Sequence, residues 1–122
     1  MIQREHNEQV AVFQWAAYNE ATYPELKYLF AVPNGGQRNV IVASKLKAEG
    51  VKRGVPDIWL PVARGGFHGL VIELKADKGR KTPEQEAWLQ FLFAQGYFAG
   101  CVWGADAAIG IIERYLLSEA LR

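Results

Sequence analysis

Cysteine is almost absent. Cys101, in the stretch FAGCVWG, is the only one in 122 residues, so no disulfide framework is possible. Histidine is nearly as scarce. His6 and His68 lie far apart in the chain, and a zinc site calls for more soft ligands than these. No uninterrupted apolar run has the length of a membrane span, and the opening MIQREHNEQV has no apolar core of signal-peptide length. The sequence therefore predicts a soluble, intracellular (cytoplasmic) protein with no membrane partner. Neither a Walker-type glycine loop nor a dinucleotide fingerprint occurs, so no nucleotide cofactor is expected. Internal repeats, linkers and low-complexity tracts are also missing. The length suits one domain, residues 1–122.

What is present is apolar and unevenly charged. Half of the residues are hydrophobic and 12% are aromatic, enough for a core and too many for a disordered chain. The net charge of +1 says little, but its distribution says more. Between Arg38 and Lys81 ten Lys/Arg stand against four acids, leaving +6, and the rest of the chain carries −5. A basic centre in a nearly neutral protein points to an anionic partner, with a solvated lysine-rich surface as the plainer alternative.

The hydrophobic spacing predicts a helix over Glu5–Tyr18, interrupted by Tyr23-Pro24, with a brief helical restart. A short strand, Tyr28–Val32, ends in the turn signal Pro33-Asn34-Gly35-Gly36. A helix over Val40–Glu49 stops at Gly50. Two strands follow, Asp57–Ala63 and Gly69–Lys75. Thr82-Pro83-Glu84-Gln85 has the form of a capping box, Thr82 as N-cap and Gln85 as the returning side chain. In the helix it opens, Trp88, Leu89, Phe91, Leu92 and Phe93 are the expected buried side, and Gly96 is the stop. Tyr97–Trp103 reads as a strand, and a last helix runs from Asp106 to about Leu121. Trp59, Trp88 and Trp103 read as core, and Trp15 as core or dimer surface. Strand–helix–strand from Gly69 to Trp103 predicts a parallel crossover, and the pair before it an antiparallel hairpin. The expected fold is α/β: three layers, with a mixed sheet flanked by helices.

The hairpin carries an oddity. Asp57 opens its first strand, and Glu73 and Lys75 close its second. Residues two apart on a strand face the same side, so Glu73 and Lys75 share a face. A loop of Arg64-Gly65-Gly66 sets Asp57 opposite Glu73, and a loop of Gly65-Gly66-Phe67 sets it opposite Lys75. A two- or four-residue loop turns Asp57 away, so an odd-numbered loop or a bulge is required. Two adjacent carboxylates repel unless a cation lies between them, and hard oxygen donors favour Mg²⁺ or Mn²⁺. Two acids, a lysine and a basic surround are parts for phosphodiester hydrolysis.

In order along the chain, Pro33-Asn34-Gly35-Gly36, Gly54-Val55-Pro56-Asp57, Glu73-Leu74-Lys75 and Thr82-Pro83-Glu84-Gln85 resemble the VRR-NUC family of the PD-(D/E)XK nuclease superfamily. The resemblance runs from about Glu5 to the last strand and is nearest to small stand-alone phage and bacterial members. It implies a restriction-endonuclease-like fold in a bacterial or phage-infected cell. It implies that Asp57, Glu73 and the Leu74 carbonyl bind Mg²⁺ or Mn²⁺, that Lys75 serves the attacking water, and that Gln85 supports the site. It also implies an acid from the first helix, Glu5, four residues before Gln9, or else Glu8. A homodimer cutting branched DNA, including four-way (Holliday) junctions, is the implied function. Two active sites about a two-fold axis suit symmetric cutting.

Several of these residues have simpler readings. Gln85 is explained by the capping box alone, and Asn34 by its turn. Asn34, Arg38, Lys45, Lys52, Arg53, Lys78, Arg80 and Lys81 are the candidate DNA contacts, better explained by nucleic acid as a set than singly. The leading expectation is a metal-dependent DNA endonuclease. Its rivals are a nuclease preferring flaps or single strands, a non-catalytic DNA-binding module of the same fold, and an acid cluster binding metal or nucleotide.

Overall fold

The computed structural model describes residues 3–33 and 40–118. Helix α1 (Gln3–Tyr18) is followed by a short 3₁₀ helix (Pro24–Tyr28), strand β1 (Phe30–Ala31) and helix α2 (Val40–Ala48). Strands β2 (Ile58–Leu60) and β3 (Leu70–Lys75) come next, then helix α3 (Pro83–Ala94), strand β4 (Phe98–Trp103) and helix α4 (Ala105–Leu117). The sheet order is β1-β2-β3-β4. β1 and β3 run antiparallel to β2, and β4 runs parallel to β3 across the α3 crossover. This is the mixed α/β sheet flanked by helices that the pattern predicts.

The alternation of β3 divides its side chains between two layers. Leu70, Ile72 and Leu74 join Ile58, Leu60 and Val102 in the main core, against Val12 and Ala16 of α1 and Ala108 and Ile112 of α4. Each large aliphatic side chain buried there contributes about 1.5–3 kcal/mol. Val71, Glu73 and Lys75 point to the opposite face, where α3 contributes the buried Leu89 and Leu92. All six residues of β3 are buried, so any charge on its second face sits inside the protein.

The connection between β2 and β3 resolves the register. Ile58 pairs with Ile72 and Leu60 with Leu70, which sets Asp57 opposite Glu73. The turn itself is a two-residue one. Arg64 and Phe67 bridge around Gly65 and Gly66, whose φ values of 58° and 88° glycine tolerates best. Such a turn alone would put Asp57 on the wrong face. One extra residue in the first strand restores the register: three residues, Pro61 to Ala63, lie between ladder and bridge on that side, against two, His68 and Gly69, on the other. Proline at 61 has no N–H to give, and Val62 bonds back to the Leu60 carbonyl.

Several expectations are corrected. The first strand has two residues rather than five, and β2 ends at Leu60, where Pro61 breaks the ladder. Helix α4 begins at Ala105 and stops before the extended Ser118; the expected end at Leu121 lies outside the described residues. Phe91 and Phe93 are each 58% exposed: Leu89 and Leu92 are the residues α3 buries, and Phe93 lies half in the open beside Ala99–Cys101 of β4, its ring 6.3 Å from that of Phe67. Trp103 is not core. It is 48% exposed on the edge strand and donates its indole N–H to the Gly79 carbonyl. Trp59 and Trp88 are half-buried, and Trp15 packs against the core. Among the described residues no helix is long and apolar enough to cross a membrane.

Candidate active site

β2 runs antiparallel to β3, so the start of one lies beside the end of the other. Asp57, Glu73 and Lys75 thereby gather at one end of the sheet, on the α3 face. All three are buried, Asp57 at 6% exposure, Glu73 at 1% and Lys75 at 7%. Buried charge requires partners, and most of the polar atoms have them. Asp57 Oδ2 accepts from the Leu74 N–H at 3.0 Å. Glu73 Oε2 accepts from Gln85 Nε2 at 3.0 Å and faces Lys75 Nζ at 3.4 Å. Glu73 Oε1 is different: it is buried and has no hydrogen-bond partner.

Burial pushes the Glu73 carboxyl up to about 8, and the neighbouring Asp57 carboxylate pushes in the same direction. Burial also raises Asp57, opposed by the neighbouring Glu73 side chain, the Leu74 N–H and the charge of Lys75. Two acids held this close in a dry site cannot both ionise cheaply without a positive charge between them. An orphaned oxygen and an all-oxygen donor set fit a hard divalent cation. Asp57, Glu73 and the Leu74 carbonyl are the groups that would hold it.

Helix α3 supplies Gln85 through its own start. The Thr82 hydroxyl accepts from the Gln85 N–H, while Gln85 Oε1 accepts from the Thr82 N–H at 2.8 Å. The other end of the same amide reaches Glu73. The capping box and the hydrogen bond to Glu73 are thus made by one side chain acting in both directions.

The first helix separates its two acids. Glu8 accepts from the Ala105 N–H and so caps α4, whose preceding Gly104 offers no side-chain cap. Glu5 lies beside the turn that follows Lys75. Its Oε2 is 3.5 Å from the point where a Cβ on Gly79 would sit, and the Lys75 Cβ is 3.3 Å from the same point. Glu5 does not close a three-acid cluster: among the described residues no three His, Cys, Asp or Glu side chains group as metal ligands.

The basic candidates divide. Lys45 is exposed on α2, Lys52 and Arg53 are exposed on the approach to Asp57, and Lys78 and Arg80 are exposed just after Lys75. Both of these loops leave the sheet at the candidate site's end. Lys81 is held in an ion pair with Glu86. Asn34 and Arg38 lie outside the described residues. The sequence reading missed Cys101, which pairs with Glu73 across the ladder. Its thiol is raised to about 11, by burial and then by Glu73, so it stays protonated at neutral pH. Gln9, four residues after Glu5 in the sequence pattern, has a buried Oε1 with no hydrogen-bond partner.

The VRR-NUC domain model matches residues 2–106 of this sequence. The chain belongs to the VRR-NUC domain family. It is also similar to a solved structure described as a "VRR_NUC domain protein", at 29% identity and a TM-score of 0.83, over 100% of this chain and 95% of the other. No curated protein matches the sequence. Membership in VRR-NUC makes this a nuclease-family protein with DNA as its substrate class.

Proposed function

We propose that this VRR-NUC protein is a Mg²⁺- or Mn²⁺-dependent endonuclease that hydrolyses phosphodiester bonds in branched DNA, four-way junctions included. The whole chain acts as one nuclease domain and works as a homodimer. The observation that carries the reading is the buried Asp57–Glu73 pair beside Lys75, with Glu73 Oε1 left unpartnered. Asp57, Glu73 and the Leu74 carbonyl would hold the cation, and the chemistry it would supply there is polarisation of a phosphoryl oxygen and a lowered pKa for a water. Lys75, tethered at 3.4 Å from Glu73, points its ammonium at the reacting group and offsets the charge that builds on phosphate. Gln85 fixes the Glu73 carboxylate in one orientation, which is how a supporting shell keeps ligands preorganised. Glu5 contributes a further carboxylate from α1. Lys45, Lys52, Arg53, Lys78 and Arg80 meet the DNA backbone at the strand-end face, with Asn34, Arg38 and Lys81 as further contacts.

The test is cleavage of end-labelled four-way junction, flap, linear duplex and single strand in Mg²⁺, Mn²⁺ or EDTA. Asp57→Asn and Lys75→Ala serve as controls. Metal-dependent cutting of the junction, lost in both variants, supports the reading. Cutting confined to flaps or single strands replaces the substrate and keeps the chemistry. Junction binding without cutting, unaffected by Lys75→Ala, makes the protein a non-catalytic DNA-binding module and overturns it.

A further inference from the structure

The site depends on two segments that share no strand. Asp57 follows the loop Arg53–Pro56, and Gln85 starts α3. Their relative position decides whether Asp57 and Gln85 meet Glu73 from the right distances. The structure places two unusual contacts at the junction of these segments. Gly54 lies directly against the first turn of α3. A Cβ at this position would come within 2.7 Å of the Glu84 carbonyl carbon, 2.8 Å of the Glu84 Cβ and 2.9 Å of the Gln85 nitrogen. Two of these are backbone atoms that cannot swing aside, and the Gly54 φ of 86° is itself strained for any other residue. One turn further along α3, on the same side as Gln85, Trp88 donates its indole N–H to the Arg53 carbonyl at 3.0 Å.

We infer that Gly54 and Trp88 form a fastening that sets the spacing between Asp57, Glu73 and Gln85, and that both are positioning residues for the metal-binding site. Gly54 lets the loop approach α3 to backbone contact. Trp88 holds the neighbouring peptide there from the helix side. A side chain at 54 wedges the loop away from Gln85, three residues before Asp57, so the amide that orients Glu73 and the carboxylate opposite it are displaced together. This rests on the proposed metal-dependent reading for its functional consequence, but not for its structural one.

The experiment compares Gly54→Ala with Gly50→Ala. Gly50 has a similar φ of 97° and nothing within 4 Å of an added Cβ, so it carries the same backbone strain without the wedge. Trp88→Phe removes the N–H donor and keeps a ring. Two readouts are used: the side-chain amide resonances of Gln85 by NMR in metal-free protein, and Mn²⁺ affinity by calorimetry. In wild type and Gly50→Ala the two Gln85 amide protons are expected well separated, as befits one bonded to Glu73. In Gly54→Ala they collapse toward free-glutamine values, and Mn²⁺ affinity falls tenfold or more. Trp88→Phe shifts both in the same direction by a smaller step, and it decides the matter should Gly54→Ala fail to fold. Gly54→Ala or Trp88→Phe matching Gly50→Ala in both readouts overturns the fastening. A wild type that binds no Mn²⁺ overturns the metal-dependent reading instead, and the Gln85 resonances then judge the fastening alone.

Discussion

The most direct physical consequence of this site is an inverted pH dependence of stability in the metal-free protein. Glu73 titrates near 8 in the folded chain, against 4.5 for an ordinary glutamate. Between those values the folded protein keeps a proton that the unfolded chain has released. Stability then falls as pH rises, since its slope follows the protons bound by the unfolded state minus those bound by the native state. The sign is opposite to that of a salt-bridged surface acid. Each pH unit inside the window costs at most about 1.36 kcal/mol. The gap from 4.5 to 8 therefore sets a ceiling of roughly 5 kcal/mol. Asp57, also raised by burial, acts in the same direction, and the two acids titrate as a pair.

The assay is urea unfolding in EDTA at pH 5.5, 7 and 8.5, for wild type and Glu73→Gln. Wild type is expected to lose at least about 2 kcal/mol across this range, a melting-temperature drop of several degrees for a domain of this size. Glu73→Gln has nothing to ionise at that position. Its profile should be flatter, and its stability at pH 8.5 should exceed that of wild type. Saturating Mn²⁺ should flatten the wild-type profile as well, because a bound cation takes over from the proton. Identical slopes for wild type and Glu73→Gln would refute the reasoning, since the two differ only in this ionisation.

Three further outcomes follow from the geometry. Glu8→Ala should cost about 1 kcal/mol by removing the cap of α4 and leave cleavage intact, whereas Glu5→Ala should weaken Mn²⁺ binding with little change in the urea midpoint. Thr82→Ala should cost about 1 kcal/mol of stability with activity retained; Gln85→Glu keeps the cap acceptor but sets a carboxylate against Glu73, and should depress cleavage at least tenfold at neutral pH. If Lys45, Lys52, Arg53, Lys78 and Arg80 each meet a phosphate, junction affinity should fall roughly 10²–10³-fold between 50 and 200 mM salt, and a flat response in an anisotropy titration would remove that surface as the DNA contact.

Much of this was legible in the sequence because it obeys local rules. The capping box at Thr82–Gln85, the glycine stops at Gly50 and Gly96, and the shared face of Glu73 and Lys75 each need only a few neighbouring residues to read. The face of Asp57 was half legible. Spacing alone left two registers open, and only the extra residue between Leu60 and Arg64 reconciles a two-residue Gly65-Gly66 turn with Asp57 opposite Glu73. What escaped has a common cause. Glu8 caps a helix whose first residue lies 97 positions away, Trp88 binds a carbonyl 35 positions back, and Gly54 is required by the backbone of Glu84 and Gln85. No period or propensity encodes such pairs. Apolarity was a poor guide for the same reason: α3 is hydrophobic almost all round, so its sequence does not say that Leu89 and Leu92 are buried while Phe91 and Phe93 stay more than half exposed. The polar residues were the better reporters, because a charge inside a six-residue buried strand has few physical excuses. Glu73 and Lys75 cost stability where they stand, and that cost is what marks this end of the sheet as the candidate site.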